Sequence, residues 1–258
     1  MIEREGLWVR RFPGASPSLV ALHGFTQTGE MYGELAELLG GDLLAPDLPG
    51  HGRSALYPVS FASAVGGVAG VLAALGGGVP LVGYSQGGRV ALAVAIEQPE
   101  LVSRLILVSA SAGIEDQVER EERRRADEAR AAELLAEGVL VFLDRWLDQA
   151  TFQGLERRGT TWRAADLARR LENTAAGLAA ALVGMGQGAQ PYFGDRLADL
   201  QMPVLVIAGG LDKKYASIAA GLCRALPYGT LGIIAGAGHA VIAEEAGAVA
   251  ALIGGFLA

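Results

Sequence analysis

Three side chains in this sequence have the types and the spacing to activate a hydroxyl: Ser85, Asp212 and His239. A serine hydroxyl is a poor base and nucleophile near neutral pH. It needs a base beside it, and the base needs an orienting acid. Ser85 sits at the centre of Gly83-Tyr84-Ser85-Gln86-Gly87, after an apolar run that ends at Val82 and before an Ala/Val/Leu-rich segment. That order reads as strand, sharp turn and helix, with the serine at the apex. A glycine two residues to either side is what such a turn requires, because strand and helix approach so closely that a Cβ would clash. Asp212 follows the apolar run 203–208, and His239 follows the run 229–234. All three residues therefore fall just past a strand, where one sheet edge can gather them.

A second set of groups surrounds the first. His23-Gly24 follows the buried run Ser18–Leu22, and the backbone N–H of Phe25, with that of Gln86, is the natural oxyanion hole. His23 and His51 read as structural loop residues. Arg89 lies one helical turn after Ser85; taken alone, it fits a helix salt bridge as well as a pocket wall.

The elements that must hold these groups alternate. Strands are predicted at Leu7–Phe12, Ser18–Leu22, Asp42–Pro46, Val79–Val82, Val102–Val108, Pro203–Ala208 and Gly229–Ile234. Helices are predicted near 30–39, 61–75, 86–97, 215–226 and from 243 onward. Strands alternating with helices imply a mainly parallel twisted sheet covered on both faces. Residues 115–190 break the alternation and hold no convincing strand. Their first part, 115–130, mixes seven acids with five arginines, the pattern of a solvated helix face. The expected organisation is an α/β core, 1–113 and 192–258, with an all-helical lid, 114–191. Such a lid would stand over the carboxyl ends of the strands, where ligands of these sheets bind.

Bulk composition narrows the field. The net charge of −7 and a pI near 5.1 argue against nucleic acid as a partner. Cys223 is the single cysteine, which excludes an intrachain disulfide and a zinc–thiolate cluster. Ser54–Gly88 carries no charge, but its prolines and the Gly76-Gly77-Gly78 triplet divide it into helix, loop and strand, so no membrane segment is expected. The charged start M-I-E-R-E-G lacks the apolar core of a signal peptide, and a cytoplasmic location is expected.

Serine, then acid, then histidine, with a G-x-S-x-G turn, resembles the α/β-hydrolase superfamily along the whole chain. A narrower resemblance rests on L-H-G-F-T at 22–26, D-L-P-G-H-G at 47–52 and G-Y-S-Q-G-G-R at 83–89. R-R-R-A-D at 123–127, Trp146, N-x-x-x-G-L at 173–178, G-M-G-Q-G-A-Q-P at 184–191 and L-D-K-K-Y at 211–215 extend it. These motifs are similar to the 2-succinyl-6-hydroxy-2,4-cyclohexadiene-1-carboxylate synthase family of menaquinone biosynthesis. The resemblance implies Ser85, Asp212 and His239 as the triad, Arg89, Arg123 and Arg170 facing the pocket, and Tyr84 and Trp146 lining it. Arg124 and Arg125 remain alternatives to Arg123. It implies a small anionic substrate, elimination of pyruvate, and no cofactor or metal. Gln86 replaces the hydrophobic residue often found after the serine. Two rival readings stay open: a carboxylesterase or carbon–carbon-bond hydrolase with the same triad, and a ligand-binding receptor that keeps the fold.

Overall fold

The computed structural model describes residues 6–15 and 18–258, so the charged start noted above lies almost wholly outside it. Among the described residues seven strands form one sheet: β1 Val9–Phe12, β2 Leu19–Leu22, β3 Leu43–Pro46, β4 Val79–Tyr84, β5 Val102–Val108, β6 Val204–Gly209 and β7 Gly229–Ile234. Their order across the sheet is β1-β3-β2-β4-β5-β6-β7. Among the described residues only the β1–β3 pair is antiparallel; the other ladders are parallel. The interior strands read as unbroken apolar runs, Leu-Val-Ala-Leu in β2 and Val-Leu-Val-Ile-Ala-Gly in β6, because helices cover both faces.

The helices are α1 Gly33–Leu39, α2 Phe61–Ala74, α3 Gln86–Glu97, α4 Gln117–Glu137, α5 Val139–Leu147, α6 Gly159–Arg170, α7 Ala175–Met185, α8 Lys213–Ala225, α9 Val241–Glu244 and α10 Ala246–Leu257. One face of the sheet packs with α2, α3 and α8 around Val68, Val90, Val94 and Leu222. The other packs with α1 and α10 around Leu35, Val249 and Ile253. Every residue of α3 from Gln86 to Ile96 is buried. No helix among the described residues is long and apolar enough to cross a membrane.

Element ends differ from the sequence reading in small ways. The first strand begins at Val9, two residues late. The helix expected over 30–39 opens with a 3-10 turn, Gly29–Tyr32. The expected final helix comes as two pieces, α9 and α10, separated at Glu245. Between β5 and β6 the chain runs only through helices, α4 to α7 with a 3-10 stretch at Ala150–Arg158. Asp116 caps α4 by accepting from the Glu119 amide at 2.8 Å, and Thr174 caps α7 through the Gly177 amide at 3.0 Å. Leu134 of α4 meets Leu178 and Leu182 of α7 in a small core of the insertion's own. Asp127 departs from the expected solvated face of α4: it is 1% exposed.

The order in which strands are added reverses at β2, since β3 lies to one side of it and β4 to the other, with both pairs parallel. A crevice forms beyond the carboxyl ends at such a switch point. Behind it two neutral histidines fill the floor. His23 Nδ1 donates to the Gly24 carbonyl at 2.8 Å, and its Nε2 accepts from the Leu48 amide at 2.9 Å. Both histidines are fully buried, with ring centroids 4.9 Å apart. Burial lowers the His23 pKa to about 4, against the upward pull of the Gly24 carbonyl. Burial, with the neighbouring His23, lowers that of His51 to about 3. The unfolded chain binds protons below about pH 6.5 that the folded chain refuses. Stability is therefore complete above that pH and lost on acidification toward 4. At pH 5 the loss should be about 2 kcal/mol for each histidine. Urea unfolding at pH 7 and pH 5 measures it, and equal free energies would mean that these rings protonate without cost.

Candidate active site

Ser85 stands between β4 and α3 with φ 52° and ψ −109°, a backbone conformation costly for a residue with a side chain. The two glycines explain how the turn closes. A Cβ on Gly83 would lie 2.5 Å from the Gly87 carbonyl oxygen, and one on Gly87 would lie 2.3 Å from the Leu22 carbonyl oxygen. The strained turn lifts the hydroxyl off the sheet edge. His239 Nε2 lies 3.1 Å from Ser85 Oγ, and His239 Nδ1 lies 2.8 Å from Asp212 Oδ2. The sequence-predicted serine, acid and histidine thus form one chain of hydrogen bonds.

Asp212 is held from both oxygens. Its Oδ1 caps α8 through the Tyr215 amide at 3.1 Å, which leaves Oδ2 for His239. Burial pushes the carboxyl up. The hydrogen bonds from His239 and the Tyr215 amide, with electrostatic attraction to His239 and Lys214, outweigh it and bring the pKa below the ordinary value. A carboxylate so held stays ionised and fixes the imidazole tautomer. The loop that carries His239 is tied to the insertion. Its amide donates to the Thr151 carbonyl at 3.3 Å. Buried Glu244 accepts from the Gly238 amide at 2.8 Å and from Arg157 Nη2 at 3.1 Å.

Leu22 pairs with Gly83 across β2 and β4, so Phe25 and Gln86 each lie three residues beyond the paired position. Among the described residues, neither of their amide N–H groups meets a hydrogen-bond acceptor. Two unspent donors beside a serine hydroxyl suit a developing oxyanion. The Gln86 side chain, which stands where a hydrophobic residue is often found, is buried, and its Nε2 donates to the Met185 carbonyl at 3.3 Å, pinning the turn to the end of α7.

The cavity over Ser85 measures about 280 Å³ and is walled by Phe25, Tyr84, Arg89, Arg123, Trp146 and Arg170 together with Gln86 and His239. Of the three consecutive arginines only Arg123 reaches it; Arg124 pairs with Glu121 and the Gly188 carbonyl, and Arg125 pairs with Glu121 outside. Arg123 and Arg170 are each braced through Nε by a carboxylate one helical turn away, Asp127 at 2.9 Å and Asp166 at 2.7 Å. Arg123 Nη1 donates to Gln187 Oε1, and Arg170 Nη1 donates to Thr26 Oγ1. Arg89 has only neutral acceptors, the Gly186 carbonyl at 3.2 Å and Gln190 Oε1 at 3.5 Å. Burial lowers its pKa to about 10, which leaves it charged at neutral pH. The Nη2 group of all three meets no acceptor among the described residues.

Sequence reasoning did not single out Gln187, Lys214 or Tyr215, which also line this cavity. They stand inside quoted motifs, G-M-G-Q-G-A-Q-P and L-D-K-K-Y, and Lys214 and Tyr215 closely follow the acid. That position was the available signal. A second cavity, between α5 and α6, touches Phe152 but not Ser85.

The Alpha/beta hydrolase family pattern matches residues 19–252. The chain belongs to the α/β-hydrolase family. Within it, a Bacillus subtilis protein provisionally named 2-succinyl-6-hydroxy-2,4-cyclohexadiene-1-carboxylate synthase is 34% identical over 239 residues, 90% of this chain and 87% of that one. The synthase of that name from Salmonella schwarzengrund is 33% identical, over 88% of each chain. The structure of MenH from S. aureus superposes with a TM-score of 0.91 at 30% identity, over 96% of this chain and 97% of that one. With these relatives, this α/β-hydrolase is an enzyme of the lyase branch of the family.

Proposed function

We propose that this α/β-hydrolase eliminates pyruvate from 2-succinyl-5-enolpyruvyl-6-hydroxy-3-cyclohexene-1-carboxylate to give 2-succinyl-6-hydroxy-2,4-cyclohexadiene-1-carboxylate. The observation that carries the reading is the meeting, in one cavity, of the Ser85–His239–Asp212 chain with three arginines that keep unspent N–H groups. A substrate with succinyl, ring and enolpyruvyl carboxylates offers each guanidinium an anionic partner. Arginine binds such groups bidentately and stays charged. A neutral ester would leave three cations without use. The relatives named as this synthase support the same assignment.

Asp212 orients His239 and stabilises its imidazolium form. His239, acting through Ser85 Oγ, removes the proton from the ring carbon that carries the succinyl ketone. The electron pair moves onto the ketone oxygen, which the Phe25 and Gln86 amides receive as an enolate. As the ketone re-forms, a ring double bond forms, the existing one shifts along the ring, and the bond from carbon to the enolpyruvyl oxygen breaks. Pyruvate leaves as its enolate and takes up a proton. No bond to Ser85 forms at any step. Residues 114–191 act as the lid that brings Arg123, Trp146 and Arg170 over the core and keeps water out of the cavity.

Two measurements on purified protein test this. Stoichiometric pyruvate should appear from the cyclohexene intermediate, followed with a coupled dehydrogenase. Intact mass after an acid quench should show no adduct on the chain, whereas hydrolysis passes through an acyl-serine. A burst with p-nitrophenyl esters and no pyruvate would move the protein to the esterase reading.

A further inference from the structure

The hydrogen bonds on one wall of the cavity have a forced polarity. A guanidinium carries donors and no acceptor. Arg123 Nη1 lies 2.6 Å from a side-chain amide oxygen, Gln187 Oε1, which therefore faces the arginine. The amide nitrogen of Gln187 must then face the other way, and it lies 2.7 Å from the Tyr215 hydroxyl. An amide nitrogen only donates, so the phenol oxygen is the acceptor there and its own proton must go elsewhere. Among the described residues that proton meets no acceptor. The fold leaves the hydroxyl otherwise unexplained. The Tyr215 ring packs against His239 with centroids 4.5 Å apart, and Asp212 caps its amide, but a phenylalanine would satisfy both contacts. Burial pushes the phenol above its ordinary pKa against the pull of Arg89 and Arg123, and it keeps its proton at neutral pH.

We infer that Tyr215 is a substrate-contacting residue whose phenolic proton is donated to a carboxylate oxygen held by Arg89 and Arg123. The inference rests on the anionic-substrate reading given under Proposed function. Gln187 sets the direction of the donor, and Arg123 sets that of Gln187. The three residues come from α8, the segment after α7 and α4, so the donor is complete only when insertion and core are both in place.

Tyr215→Phe in the full chain removes the hydroxyl and keeps the ring. The expected result is an unchanged melting temperature, within about 2 °C, and a kcat within about threefold of wild type. KM for the cyclohexene intermediate should rise about tenfold or more, the range for a hydrogen bond to a charged group. The calorimetric Kd for 2-oxoglutarate, a keto-dicarboxylate, should rise by the same factor. Gln187→Glu supplies the second test, because its carboxylate accepts from both Arg123 and the phenol and consumes the free proton. In that background Tyr215→Phe should change KM by less than about twofold. Unchanged KM and Kd in Tyr215→Phe, or an equal loss in both backgrounds, would overturn the inference. The two readings fail separately. A wild type that binds 2-oxoglutarate through Tyr215 but releases no pyruvate sinks the lyase reading alone. Pyruvate released with an unaltered KM by Tyr215→Phe sinks the donor alone. A wild type that neither binds 2-oxoglutarate nor turns over the intermediate sinks both.

Discussion

Ser85→Ala and His239→Ala should each lose about 10³-fold or more of kcat, with Ser85→Ala folded as wild type. The hydroxyl sits 3.1 Å from the imidazole that would take its proton, and no other hydroxyl of the described residues reaches His239 Nε2. Its removal leaves no relay between base and substrate. Stability should not suffer, because the serine contributes strain at φ 52° and no helix cap through its side chain. His239→Ala is less clean. Its ring packs against Tyr84, Tyr215 and Phe152, so truncation opens a hole in the cavity wall. His239→Gln keeps more of that volume and should lose activity to the same extent. The two losses should not add, since both residues serve one proton transfer. A folded Ser85→Ala enzyme that releases pyruvate at near the wild-type rate would end the assignment.

How much of this could be read from the chain follows from which forces are local. The turn at Ser85 was legible because the motif carries both glycines in one short stretch, although only Gly83 is demanded by nearby backbone, that of Gly87 and Gly88, while Gly87 is demanded by the distant Leu22 carbonyl. The interior strands were legible because burial on both faces leaves a continuous apolar run, as in β6. Asp212 and His239 were legible because their place past strand ends follows from the alternation alone. The bracing carboxylates were not. Arg123 with Asp127, and Asp166 with Arg170, have the i,i+4 spacing of exposed helix pairs, and spacing is blind to what packs above it. Asp127 is buried because Gly186 closes on it from a loop some 60 residues away, where a Cβ would lie 2.4 Å from Oδ2. The Gln187–Tyr215 contact joins the insertion to the core across 28 residues, and no local pattern announces it. The tie from Glu244 to Arg157 spans 87 residues in the same way.

Arg89→Met should separate function from stability more sharply than substitution of either of the other two pocket arginines. Arg123 and Arg170 carry their own carboxylates, and the loss of either arginine would leave a buried acid, Asp127 or Asp166, with only a longer contact to Arg130 at 3.5 Å or Arg169 at 3.6 Å, so stability would fall together with function. Arg89 is 6% exposed and, among the described residues, has no carboxylate within salt-bridge distance. A buried cation without a counter-charge destabilises the folded chain, and burial has already lowered its pKa to about 10. Methionine fills much of the same volume without the charge. The variant should therefore melt at or above the wild-type temperature. It should also lose about 10²- to 10³-fold in kcat/KM, the loss of one partner from a desolvated charge pair of about 3–4 kcal/mol. Substrate or a dicarboxylate should raise the wild-type melting temperature by more than that of Arg89→Met, because the anion supplies the counter-charge that the fold withholds. Calorimetric melting with and without ligand, beside the steady-state constants, measures all three. Unchanged kcat/KM in a folded Arg89→Met enzyme would place the substrate carboxylates elsewhere in the cavity. A large drop in melting temperature would show that Gly186 and Gln190 hold the guanidinium for the fold rather than for the ligand.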